Sequence, residues 1–147
     1  MTTRWNDNDV YGHVNNSIYH HWADSIINLF LMDRGLLQLP SSKVPQPLDE
    51  ECVSPIGICA ENGFQYFSPV AYPQKVMCGL AITDMGRISV TYKVGVFSLQ
   101  KEESLVALGT FVHVFVDRYS HKPLKVLPEA TRTALLELLV EMPKSNL

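Results

Sequence analysis

The amino-acid sequence predicts an α+β domain in which one long helix lies against an antiparallel sheet. Two observations carry this. Between Ile18 and Phe30, apolar residues recur at spacings of three and four, the period of a helix with one buried face. From Ile56 to Asp117 the pattern changes to period-two alternation interrupted by short polar turns, as in consecutive antiparallel strands. A long amphipathic helix ahead of such strands must bury its apolar face on the sheet they form.

In chain order, Thr2 to Trp5 reads as a short strand, and the Asn/Asp/Gly cluster from Asn6 to Gly12 turns the chain. The helix starts near Asn15 to Ser17, where Asn or Ser can cap it. Its expected buried face is Ile18, Tyr19, Trp22, Ile26, Leu29 and Phe30. It runs to Asp33 and Arg34 and stops at Gly35. Residues 36–55, with four prolines, read as a loop over the mouth of a pocket. Strands follow at Ile56 to Phe67, Lys75 to Thr83, Ile88 to Ser98 and Leu105 to Asp117. The polar runs Asp84 to Arg87 and Gln100 to Ser104 turn the chain between them, as in a meander. Pro128 and Glu129 open a terminal helix to about Met142, with Leu135, Leu138 and Leu139 as its stripe.

Chemistry-bearing side chains are densest from Arg4 to Tyr19. A carboxylate held just before a helix faces free backbone N–H groups at its positive end, a layout suited to attack on a carbonyl. Asp9-Val10-Tyr11-Gly12-His13-Val14-Asn15-Asn16-Ser17-Ile18-Tyr19 resembles the D-x-x-G-H-V-N-N-x-x-Y signature of hotdog-fold acyl thioesterases, the 4-hydroxybenzoyl-CoA thioesterase-like superfamily. Arg4-Trp5-x-Asp7 fits the same signature.

That resemblance implies a hotdog fold, an antiparallel sheet wrapped around one long central helix, as a single thioesterase domain over 1–147. It also implies a homodimer or homotetramer in which sheets join edge to edge. The implied reaction is hydrolysis of an acyl thioester to acid and thiol, with coenzyme A as carrier and acyl-carrier protein as the alternative. Asp9 occupies the position of the family's catalytic carboxylate, as general base or nucleophile; the other reading is a turn aspartate satisfied by backbone amides. His13 either assists catalysis or supports the loop. Tyr11 stands where the similar run of plant acyl-carrier-protein thioesterases has Asn. At the position of Asn16, where some bacterial relatives carry His, the backbone N–H is the oxyanion donor in several, a role independent of the side chain.

Around these, Gly12 permits a positive φ or close ligand approach, and Asn15 caps the helix or donates to substrate. Val14 joins them as a substrate-binding candidate. Tyr19, with Trp22, either packs in the core or touches substrate. Glu61 is the reserve carboxylate, since other hotdog lineages use one from the partner subunit; Asp7 reads as turn support. Two rival functions remain, an enoyl-CoA hydratase or dehydratase and a non-enzymatic acyl-CoA-binding protein.

Composition bounds the rest. At 147 residues, with 46% hydrophobic and 18% charged residues, the chain has the makeup of a globular protein rather than a disordered one. Net charge is −3 and no basic cluster alternates with aromatics, so nucleic acid is not an expected partner. The apolar run Ile26 to Met32 is far short of the ~20 residues that span a bilayer. Cys52, Cys59 and Cys78 show no C-x-x-C spacing, and a reducing, cytoplasmic location is expected. Ser145-Asn146-Leu147 resembles a degenerate peroxisomal address, a minor alternative to the cytoplasm, departing from the usual basic middle residue at Asn146. Arg87, Lys93, Arg118, Lys122 and Lys125 can meet coenzyme A phosphates or simply be solvated. His113, between Phe111 and Phe115, reads as a core or interface residue. There is no Gly-rich phosphate loop, metal-ligand cluster or G-x-S-x-G elbow, so no metal or cofactor is expected beyond the coenzyme A of the substrate.

Overall fold

The computed structural model describes residues 1–37, 55–100 and 104–140. The predicted loop over a pocket mouth, Cys52, the turn at 101–103 and the tail with Ser145 to Leu147 lie outside the described residues. Helix α1 is Asn16–Asp33, strands β1 to β4 are Pro55–Tyr66, Val76–Met85, Ser89–Ser98 and Leu105–Asp117, and helix α2 is Glu129–Leu136. The fold class is α+β, as expected. The strands form one antiparallel sheet in the order β1-β4-β3-β2.

Alternation on β3 sends Val90, Tyr92, Val94 and Val96 to the buried face. There Val90, Tyr92 and Val94 meet Ala23, Ile27 and Leu31 of α1, with Ile82, Phe111, Phe115, Leu127 and Leu135 completing the cluster. A second cluster joins Val14, Tyr19 and Trp22 to Val70, Val76, Val96, Val106 and Ala107, so the start of α1 is fixed on the sheet as firmly as its middle.

Three expectations need correction. The predicted strand from Thr2 to Trp5 is a single antiparallel bridge, Thr2 to Lys75, followed by a 3₁₀ turn at Trp5–Asp7. Asp7 causes the turn: its Oδ2 accepts from the Arg4 amide at 2.7 Å, and its own amide donates to the Arg4 carbonyl at 3.0 Å. The buried face of α1 keeps the expected Tyr19 and Trp22 but departs from expectation in its second half. Leu29 is 59% exposed, while Ala23, Ile27 and Leu31 point at the sheet and Ile26 and Phe30 flank them. Ala23 has the small side chain that lets the helix approach there.

Finally, α2 ends at Leu136 rather than near Met142. The backbone beyond it leaves the helix to pair with β2. Ile82 donates to the Leu138 carbonyl at 2.8 Å, and Val140 donates to the Ile82 carbonyl at 2.9 Å. Leu139, expected on the apolar stripe, is exposed. The outer edge of β2 is thus covered at one end by residues 138–140 and at the other by residues 1–3. Among the described residues, nothing pairs with the outer edge of β1.

Candidate active site

The segment from Asp7 to Asn16 is a closed loop whose shape follows from its own side chains. Asp7, 3% exposed, anchors it, because its carbonyl also accepts from the Asn15 amide at 2.8 Å. Asn8 and Val14 form an antiparallel bridge, the Asp9 amide donates to the His13 carbonyl at 2.8 Å, and Gly12 donates to the Asp9 carbonyl at 3.1 Å. Gly12 closes this turn at φ +81°, with nothing within 4 Å of where a Cβ would stand. The requirement for glycine is therefore conformational rather than one of close approach. The loop docks on the segment after β1: Val14 donates to the Val70 carbonyl at 2.7 Å, and Asn8 Oδ1 accepts from the Tyr72 amide at 3.1 Å.

Helix α1 begins where this loop ends. Asn15 is its N-cap, with Oδ1 accepting from the Ser17 amide at 2.9 Å and from Ser17 Oγ at 2.8 Å. The Asn15 carbonyl takes the Ile18 amide at 2.9 Å. Asn16 follows as the first helical residue, and an amide at that position has no acceptor within its own helix. Asn15→Ala is expected to lower stability by about 1 kcal/mol through loss of the cap, measured as a shift in the urea unfolding midpoint.

Between loop, helix start and the segment after β1 lies a cavity of about 390 Å³. Asp9, Tyr11, His13, Val14, Asn16 and Tyr19 form one side, and Tyr66 to Val70 form the other. Asp9 is half-buried. Its Oδ1 accepts from the Tyr11 amide at 2.8 Å, so the turn role read from sequence engages one oxygen. No protein donor among the described residues reaches its Oδ2. Asp9 and Asn16, the first residue of α1, therefore border the same space, with the positive end of the helix beside them. Such a pair can take a proton from water, or attack, at a carbonyl whose oxygen the amide polarises.

Tyr19 closes the inner wall, buried and with its ring centroid 5.1 Å from those of Trp22 and Tyr66. Burial pushes its phenol up to about 12, with Tyr66 adding to the shift and a backbone hydrogen bond from Val70 opposing it. A folded-state pKa raised from 10.0 means that this group's contribution to stability is present below about pH 10 and is lost as pH rises towards 12. Urea midpoints between pH 9 and 11.5 are thus expected to fall more steeply in the native protein than in Tyr19→Phe.

The structure brings together Asp9, His13, Val14, Asn16 and Tyr19 of the predicted set. Gly12 and Asn15 shape the loop and the helix start beside the cavity without lining it. Glu61 is not brought there: it is exposed on β1 at an irregularity in the pairing with β4, opposite Val112. Tyr66, Phe67, Ser68, Pro69 and Val70 were missed as wall residues. Ser68-Pro69 signals the end of a strand, and no local signal says that the helix start crosses it. Lys93, one of the basic candidates, donates to Thr110 Oγ1 within the sheet. Among the described residues, no three His, Cys, Asp or Glu side chains are grouped to hold a metal, and no helix is long and apolar enough to cross a membrane.

The profile of the thioesterase-like superfamily matches residues 3–137. The chain belongs to this superfamily, and the resemblance carried by Asp9 to Tyr19 is borne out. Among solved structures, the PA5185 protein of Pseudomonas aeruginosa strain PAO1 is similar at 37% identity and a TM-score of 0.78, over 95% of this chain and 88% of that one. Slr0204 of Synechocystis, a 1,4-dihydroxy-2-naphthoyl-CoA thioesterase, shares the fold at 17% identity and a TM-score of 0.73, over 94% and 93%. SAV2348 of Staphylococcus aureus, solved in complex with CoA, shares it at 13% identity and a TM-score of 0.75, over 99% and 87%. No curated protein sequence gives a significant match.

Proposed function

We propose that this protein hydrolyses acyl-CoA thioesters, with Asp9 as the general base or nucleophile and the Asn16 amide polarising the carbonyl. The observation that carries this is the shared cavity, lined by Asp9, one of whose oxygens has no donor among the described residues, and by Asn16, the first residue of α1. Superfamily membership supports thioester hydrolysis in general, and the CoA complex of a protein of the same fold favours coenzyme A over acyl-carrier protein.

In the base route, Asp9 takes a proton from water as the water oxygen attacks the carbonyl carbon. The C–S bond then breaks, and the proton passes from Asp9 to the departing thiolate, leaving acid and thiol. In the nucleophile route, Asp9 attacks the carbonyl carbon, and the C–S bond breaks to release the thiolate with formation of an acyl–Asp9 anhydride. Water then cleaves the anhydride, giving the acid, regenerating Asp9 and supplying the proton that the thiolate takes up. His13, at the cavity rim, orients the reacting groups. No metal or cofactor takes part beyond the coenzyme A of the substrate.

The finer arrangement belongs to the same proposal. The sheet wraps α1 as the central helix of a single hotdog domain, and two copies join through the open outer edge of β1, singly or as a dimer of dimers, in the cytoplasm. A peroxisomal destination would rest on Ser145 to Leu147 alone.

The test is thiol release from a panel of straight-chain, branched and aromatic acyl-CoAs, with enoyl-CoA hydration followed in parallel. Turnover of at least one acyl-CoA with thiol release is expected. Hydration without thiol release would instead make the protein a hydratase, and tight binding of acyl-CoA without either reaction would make it a binding protein.

A further inference from the structure

Trp5 stands outside the Asp9 cavity and calls for an explanation. It is 81% exposed, although an indole is among the largest apolar surfaces a side chain offers. Its ring meets that of Tyr72 edge to face, with centroids 5.9 Å apart and planes at 82°. At that exposure the pair leaves most of the indole open to solvent. Nothing in the proposed hydrolysis uses either ring.

The pair is tied to the loop that carries Asp9. Asn8 makes the link: its Oδ1 accepts from the Tyr72 amide at 3.1 Å, while its Nδ2 donates to the Gly12 carbonyl at 3.2 Å. Tyr72 also stands two residues past Val70, in the wall of the Asp9 cavity. Trp5 and Asp9 are four residues apart, so their Cα atoms are separated by at most about 14 Å, and the 3₁₀ turn at Trp5–Asp7 shortens this. An extended phosphopantetheine arm covers that distance. The surroundings are basic. Arg4 keeps its side chain 76% exposed, with Nε 3.7 Å from Asp7 Oδ1, and Lys75, bridged to Thr2, is exposed as well. An open π surface beside positive charge suits an aromatic base that carries phosphates.

We propose that Trp5, steadied by Tyr72, is a stacking platform for the adenine of coenzyme A, so that this protein selects free CoA thioesters over those on acyl-carrier protein. This rests on the hydrolase reading of the Asp9 cavity. Acyl-carrier protein presents the same phosphopantetheine arm without an adenosine, and so gains nothing from the platform. Stacking needs a π face rather than a particular pattern of hydrogen bonds. It acts far from the reacting carbonyl, equally in the ground and transition states, and therefore lowers KM without raising kcat.

The test compares kcat/KM for one accepted acyl-CoA with that for the same acyl group on pantetheine, which lacks the nucleotide. The CoA ester is expected to exceed the pantetheine ester by about tenfold or more. Trp5→Ala should remove about that factor through KM, with the acyl-pantetheine values unchanged. Trp5→Phe keeps a π face and should keep most of the ratio, whereas Trp5→Leu keeps bulk alone and should lose it. A native ratio near one, or a ratio unchanged in Trp5→Ala, would overturn the platform and leave the hydrolase reading intact. An equal fall for both esters in Trp5→Ala, with an altered elution volume in gel filtration, would assign Trp5 to subunit contact and overturn the platform. Fluorescence separates the two ideas. The tryptophans are Trp5 and Trp22, and Trp22 is only 6% exposed, so quenching by iodide reports on Trp5. Protection from iodide by coenzyme A but not by pantetheine, with no thiol release from any acyl-CoA, would overturn the hydrolase reading and keep the platform.

Discussion

Asp9→Asn is expected to lower kcat for acyl-CoA hydrolysis by about 10²–10⁴-fold, the range over which a positioned base or nucleophile contributes. The melting temperature and KM should change little. The substitution keeps the side-chain volume and the oxygen that accepts from the Tyr11 amide, so the Asx turn that holds residues 9–12 can persist. What it removes is the charge and basicity at Oδ2, which no donor among the described residues reaches. A large fall in kcat at constant KM is the pattern of an interaction made only in the transition state. Asp9→Ala should match it in kcat and lose some stability as well, because the Tyr11 amide then loses its acceptor.

The second large effect lies in the core. Ile27→Ala is expected to cost about 2–5 kcal/mol and to lower the melting temperature by roughly 5–15 °C. Ile27 is fully buried among Ile82, Val90, Tyr92 and Phe111, where α1 meets the sheet, and truncation would leave a cavity between rigid strands. Leu29→Ala, two residues on, should change stability by no more than about 0.5 kcal/mol, because Leu29 is on the solvent side of the helix. Thermal melts of the two variants side by side test which face the second half of α1 presents. A larger cost at Leu29 than at Ile27 would mean that the helix presents the face expected from spacing alone.

The contrast between those two residues shows what a sequence can and cannot convey. Spacings of three and four establish that α1 has an apolar side, yet Ile26, Ile27, Leu29, Phe30 and Leu31 include enough apolar residues for neighbouring faces to look equivalent. Only the sheet's demand for close approach at Ala23 selects one. The loop before α1 is more legible because its determinants are local: an Asx turn at Asp9, a positive φ at Gly12 and a cap at Asn15 each act within a few residues. What faces the loop was not legible. Tyr66 to Val70 reach the cavity through the register of β1 with β4 and the docking of Val14 on Val70, contacts spanning about forty to sixty residues. The end of α2 was misjudged for a related reason. Leu138 and Leu139 fit a helical stripe, but pairing with Ile82 draws the backbone away, and no residue near position 137 announces that partner.

The most direct measurement is the initial rate of thiol release from one accepted acyl-CoA by the native protein, Asp9→Asn and Glu61→Gln, each at saturating substrate. Hydrolysis by the native protein, its near-complete loss in Asp9→Asn and its retention in Glu61→Gln are expected. Undiminished hydrolysis in Asp9→Asn, or a collapse confined to Glu61→Gln, would contradict the assignment of the reaction to the cavity at the start of α1.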